Sequence, residues 1–237
     1  MKRLQQGIWF LVLVLMLAAS LGLGWFSQAL NGYAYGFWYD QLAIGEHIDR
    51  FAPQNRYIRG FEQTSEQERL DAFAAIARAV HEQGKGLEDI RFSTAQGERR
   101  LLRKPEVQHL QDVAALIDVL TLATTVATVL ALLGFTALTN RRIYPAWRVQ
   151  GGWLLGVAVF SAAVLLLIGP KQVFYQLHVW IFPEGHQWFF YYQDSLMSTL
   201  MKAPDLFGGI ALAIAAVGIT IYALWLGVIV WLQRRAA

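Results

Sequence analysis

The sequence predicts an all-α membrane protein: four transmembrane helices with a small α+β extracytoplasmic domain between helices 1 and 2. Three observations carry this. Of 237 residues, 56% are hydrophobic and only 16% charged, a balance too apolar for a soluble domain of this size. The apolar residues gather in four blocks, 7–30, 113–138, 151–169 and 207–232, each near or above the roughly 20 helical residues that cross a hydrocarbon layer of about 30 Å. The short polar segments on one side hold Lys2, Arg3, Arg141, Arg142, Arg148, Arg234 and Arg235 and no acid, which assigns that side, and both termini, to the cytoplasm.

The first block, 7–30, follows Lys2 and Arg3 and has small residues near Ala18 and Ser20, as a cleaved signal would. Its apolar run is longer than a signal core, so a retained first span is expected. Residues 31–112 form the extracytoplasmic domain. Within it Ser65 and Glu68 suit a capping box, and Leu70, Phe73, Ala74, Ala77 and Val80 repeat at helical spacing, giving a helix at about 65–83 that Gly84 and Gly86 stop. Residues from about 90 to 102 read as a hairpin with Gly97 in its turn. Pro105 suits the first position of the next helix, which runs into the second span at 113–138. The cytoplasmic loop 139–150, the third span 151–169, an aromatic extracytoplasmic loop 170–206 and the fourth span 207–232 complete the chain.

All 17 acids and all five histidines fall outside the cytoplasm, or just inside the outer boundary, so ionisable chemistry belongs to the outer face. Cysteine is absent, which removes disulfides, thiolate metal sites and a cysteine nucleophile. No nucleotide, serine-hydrolase or metalloprotease fingerprint occurs, nothing points to nucleic acid, and the spans lack the charged relay of a transporter.

Two constellations remain. Glu106, His109 and Asp112 lie three residues apart, along one side of a helix at the membrane edge. A carboxylate one turn away can orient an imidazole and raise its basicity, as a general base requires, although the same spacing also fits a solvated, salt-bridged face. Asp118 lies deeper, within an apolar run where a carboxylate needs a polar partner or water. The second constellation runs from Phe174 to Tyr192, with His178, Trp180 and Trp188 among aromatic residues suited to an interfacial belt. Here His178 sits at about the same depth as His109. The remaining histidines, His47, His81 and His186, stand beside polar residues and read as solvated.

The run Glu106-Val107-Gln108-His109-Leu110-Gln111-Asp112-Val113 resembles the E-x-x-H-x-x-D-V motif of a family of small four-span bacterial membrane proteins, the lipoprotein intramolecular transacylases. Residues Phe174, His178, Phe182, Trp188, Asp194, Ser195-Leu196, Pro204 and Phe207 resemble that family's second signature. The resemblance covers topology along the whole chain and sequence detail in these two motifs. Here Lys104-Pro105 replaces the family's serine- and arginine-containing turn, and the second loop is richer in Phe and Tyr.

The resemblance implies an enzyme of the bacterial cytoplasmic membrane that moves the sn-2 acyl chain of a diacylglyceryl-cysteine lipoprotein to the α-amine of that cysteine. His109 and His178 match the family's two essential histidines. One would act as base, oriented by Glu106 or Asp112, and the other as acid or oxyanion donor, with either order open. Asp118, Trp180, Trp188 and Asp194 are the expected substrate-binding residues. Converting ester to amide is downhill, so no cofactor and no metal is expected; the partners are the bilayer and a lipoprotein N-terminus or another membrane lipid. The alternatives are a metal-dependent membrane hydrolase using His109, His178 and carboxylates, and a non-catalytic accessory protein whose outer domain docks a partner.

Overall fold

A computed structural model describes residues 2–236. In chain order the helices are α1 (Lys2–Leu30), α2 (Tyr35–Gln41), α3 (Ile44–Phe51), α4 (Glu66–His81), α5 (Lys104–Asn140), α6 (Trp147–Ile168), α7 (Pro170–Ile181), α8 (Leu196–Leu200) and α9 (Asp205–Ala236), with strands β1 (Arg91–Thr94) and β2 (Gly97–Arg100) between α4 and α5. Among the described residues four helices are long and apolar enough to cross a membrane: Arg3–Leu30, Lys104–Asn140, Trp147–Ile168 and Asp205–Ala236. The chain divides into two compact units. Among the described residues one comprises 2–25, 120–180 and 214–236, the other 26–119 and 181–213.

The first unit is built from apolar helices. Trp9, Val12, Leu13, Met16, Ala131, Leu138 and Ile229 form its buried cluster. Glycines let backbones approach: a Cβ on Gly24 would stand 2.7 Å from the Ile214 carbonyl oxygen, and one on Gly218 would stand 2.9 Å from Leu21 Cα. Such small-residue contacts are how membrane helices gain packing where lipid supplies no hydrophobic drive. Polar groups at the α5–α6 connection are satisfied locally. Trp9 Nε1 donates to the Ile143 carbonyl at 3.1 Å, Ala146 N to Gln6 Oε1 at 2.7 Å, and Trp147 Nε1 to Gln233 Oε1 at 2.8 Å.

The second unit buries Ile44, Ile48, Phe61, Ile76, Leu87, Leu101, Leu196, Leu200 and Leu206. The α4 helix starts at the expected capping box: Ser65 Oγ accepts from Glu68 N, and the Glu68 carboxylate accepts from Ser65 N. Its buried face is Arg69, Ala72, Phe73, Ile76, Ala79 and Val80, rotated from the expected stripe, which placed Leu70, Ala74 and Ala77 inward. The rotation has a polar cause. Arg69 is buried and donates to Asp49 Oδ1 at 2.7 Å, Tyr39 Oη at 3.2 Å, Thr64 Oγ1 at 3.1 Å and the Glu62 carbonyl at 2.9 Å. An apolar stripe read from sequence has no way to include an arginine whose guanidinium is satisfied from three other segments.

Beyond α4, Gly84 takes φ +76° and donates back to the Ala79 carbonyl at 2.8 Å, a glycine helix stop. The antiparallel pair β1–β2 closes with Thr94 opposite Gly97, whose φ is +109°. Helices α2 and α3 begin after Ala34 and Ala43 in left-handed conformations. The stretch read as an aromatic loop contains α7 and α8.

Candidate active site

Three successive turns at the start of α5 present Glu106, His109 and Asp112 within the second unit. Each has different surroundings. Glu106 is fully buried. Its Oε2 accepts from Arg103 N at 2.7 Å, with Arg103 Nε at 3.4 Å, and its Oε1 accepts from Ser195 Oγ at 2.5 Å. Ser195 also caps α8, accepting from Ser198 N at 2.9 Å, and Met197 N points at the same carboxylate oxygen from 3.4 Å. One carboxylate therefore closes the N-terminus of α5 and fixes the segment that opens α8, both places where backbone N–H groups favour an anion.

His109, half-buried, has the ring of Phe182 with its centroid 4.9 Å away and that of Phe190 5.9 Å away. Asp112, one turn further on, accepts from His186 Nδ1 at 2.7 Å, while Gln108 Nε2 lies 2.8 Å from His186 Nε2. Ser195 and Arg103 bond the first carboxylate, and His186 bonds the second. His186 is thus a site residue that the sequence reading missed, having taken it for solvated. Its partners are 74 and 78 residues away in the chain, so no local signal marks it.

The other two histidines read as solvated are also engaged. His47 is buried, with the Tyr192 ring 4.5 Å and the Phe51 ring 4.6 Å from its own; burial, assisted by the nearby Lys202 ammonium, pushes its imidazole down to about 4. His81 Nε2 lies 2.7 Å from Tyr33 Oη, and burial lowers its pKa.

His178 belongs to the first unit, in the last turn of α7. Its Nδ1 donates to the Phe174 carbonyl at 2.8 Å, and its ring lies against that of Phe174 with centroids 4.0 Å apart. A carbonyl only accepts, so Nδ1 carries a proton. Trp180, in the same helix, is 73% exposed.

Of the other expected binding residues, Trp188 is half-buried and stands edge-on to Phe189, with centroids 6.2 Å apart. Asp194 lies 3.4 Å from Arg56 Nη1, and the Gln193 carbonyl accepts from Arg56 N at 2.8 Å, which ties this stretch to the loop after α3. Asp118 is exposed on α5. Among the described residues no three His, Asp or Glu side chains group as metal ligands would.

Comparison with known proteins adds a family and a fold. The family model described as lipoprotein intramolecular transacylase Lit matches residues 78–203, which include His109 and His178. No curated protein matches the chain. Solved structures of the membrane-integral lipoprotein intramolecular transacylase Lit from Bacillus cereus share the fold. One, carrying a histidine-to-arginine mutation, is 14% identical with a TM-score of 0.70, covering 99% of this chain and 94% of that one. A second, with a histidine-to-alanine mutation, is also 14% identical, with a TM-score of 0.66 and coverage of 99% and 97%.

Proposed function

The chain belongs to the lipoprotein intramolecular transacylase family, and we propose that it moves the sn-2 acyl chain of a diacylglyceryl-cysteine lipoprotein to the cysteine's own α-amine, using His109 and His178 as its acid and base. As a family member it is an enzyme, and with four apolar helices it is a multi-pass bacterial membrane protein. The finer reading sets the termini in the cytoplasm and the reaction at the outer face, which the basic residues of the short segments support.

In the proposed reaction one imidazole takes a proton from the ammonium, and the freed amine attacks the ester carbonyl. That attack forms the C–N bond; the nitrogen then gives up a second proton to solvent, and the tetrahedral intermediate collapses to the amide with cleavage of the ester C–O bond. The departing glycerol oxygen then takes a proton from the second imidazole, leaving a monoacylglyceryl, N-acyl cysteine. Nitrogen loses two protons and the glycerol oxygen gains one, so one proton is released to solvent per turnover, and no other reactant enters. Amine and ester belong to one molecule, so positioning them supplies much of the acceleration, of the order of 7 kcal/mol or more; acid–base assistance adds roughly 100-fold or more.

The observation that carries the reading is the local setting of the two rings. His109 lies beside the rings of Phe182 and Phe190 at the start of a membrane helix, and the His178 ring is oriented by its Nδ1–H bond to the Phe174 carbonyl. Glu106 or Asp112, on the same side of α5, is proposed to orient His109. Asp118, Trp180, Trp188 and Asp194 are proposed to contact the lipid or the peptide beside it.

The test uses the purified chain in detergent micelles with a synthetic diacylglyceryl-cysteinyl peptide. A product of unchanged mass, with the acyl group now on nitrogen and resistant to mild base, is expected. Its absence under conditions where the protein is folded would refute the substrate assignment.

A further inference from the structure

His186 belongs to neither of the two histidine motifs, yet it is the midpoint of the stretch that surrounds His109. We propose that His186 is a positioning residue: together with Asp112 and Gln108 it clamps the aromatic stretch onto α5 and so holds Phe182 and Phe190 about the ring of His109. This rests on the reading of His109 as an acid–base group.

Both nitrogens of the His186 ring are engaged, Nδ1 with Asp112 at 2.7 Å and Nε2 with Gln108 at 2.8 Å. Asp112 only accepts, so Nδ1 carries a proton. Gln108 and Asp112 are one turn apart on α5, and His109 directly follows the first of them. On the other side of the clamp, Phe182 precedes His186 by four residues and Phe190 follows it by four. Residues 183–186 form a tight turn, with His186 N donating to the Pro183 carbonyl at 3.1 Å and Gly185 at φ +82°. The turn aims the imidazole at α5 and sends the chain back along it, bringing a phenylalanine from each arm to His109.

An exposed ion pair would add little. This pair is partly covered, Asp112 being 17% and His186 30% exposed, and the ring is bonded at both ends, so its effect is geometric. Loss of the clamp lets both phenylalanines drift from His109, and small misplacements of a reacting group are expensive.

The experiment uses the full chain in micelles with the same synthetic peptide and compares His186→Ala, His186→Asn and His109→Ala. Turnover and amide hydrogen exchange over residues 181–194 are both followed. Asparagine keeps an N–H near the position of Nδ1. The clamp predicts that His186→Ala lowers kcat on the order of ten- to a hundredfold with KM within about twofold, and speeds exchange in this stretch. His186→Asn should recover most of both, and His109→Ala should abolish turnover without changing exchange. Unchanged exchange in His186→Ala, or equal damage from Ala and Asn, overturns the clamp. Full turnover in His109→Ala instead overturns the catalytic reading on which it rests, a separate outcome.

Discussion

Ser195 Oγ donates to Glu106 Oε1 at 2.5 Å across 89 residues of sequence. Both groups are fully buried, so neither has water to fall back on, and the bond joins the first turn of α5 to the start of α8. Glu106→Gln places an amide N–H among donors, leaving at least one buried donor without an acceptor, at a cost of about 1–3 kcal/mol. Ser195→Ala loses this bond and the α8 cap, for roughly 1–2 kcal/mol. Thermal unfolding in detergent should show both losses, and the double variant should be less destabilised than their sum, because the two residues share one interaction.

The buried His47 makes stability depend on pH. Its folded pKa is pushed down to about 4 by burial first and by Lys202 second, below the roughly 6.5 of an unfolded chain. The unfolded state therefore binds more protons through that window. The contribution is complete above about pH 6.5 and is lost as pH falls towards 4. His81, also lowered by burial, acts in the same direction. Unfolding temperature should fall between pH 7.5 and pH 5, and His47→Phe should flatten the decline; an equal decline in the variant would assign it to other groups.

Close helix contact in the first unit makes Gly24 intolerant of a side chain, unlike Gly156. At Gly24 a methyl group would meet the Ile214 carbonyl oxygen at 2.7 Å and Gly218 N at 3.1 Å, both backbone atoms that no side-chain rotation can move. At Gly156 it would meet nothing within 4 Å. Gly24→Ala should destabilise by about 1–3 kcal/mol through overpacking, whereas Gly156→Ala should be neutral or slightly stabilising. Comparison of the two by unfolding in detergent checks this.

Arg69 separates an ion pair from the hydrogen bonds around it. Its partner Asp49 is 62% exposed, while Arg69 itself is 7% exposed. Asp49→Ala therefore removes a pair worth about 1 kcal/mol or less. Arg69→Met strips donors from Tyr39, Thr64 and the Glu62 carbonyl together, and about 3 kcal/mol or more is expected from leaving such buried acceptors unmet. Denaturation of the two variants should differ accordingly.

The sequence made the four long helices legible because span length and apolar composition are local properties, and it showed the Ser65–Glu68 capping box and the Gly97 turn because their partners lie within three residues. What it hid was tertiary. Arg69 looks like a surface residue until Tyr39, Thr64 and Glu62 surround it. Equally, the bonds from Glu106 to Ser195 and from Asp112 to His186 join residues 89 and 74 apart in the chain. His186 has polar residues beside it in sequence, as a solvated histidine would, and only folding brings Asp112 and Gln108 to it.

Fragmentation mass spectrometry of a lipoprotein's N-terminal peptide, which locates the acyl group on nitrogen or on glycerol, from cells lacking this chain and cells expressing it or its His109→Ala and His178→Ala variants, tests most directly whether two imidazoles carry out the transfer. The native chain should convert diacylglyceryl cysteine to an N-acyl, monoacylglyceryl form, and both variants should leave it unconverted at equal expression. The same conversion with either variant, or unchanged lipoproteins with the native chain, would contradict it.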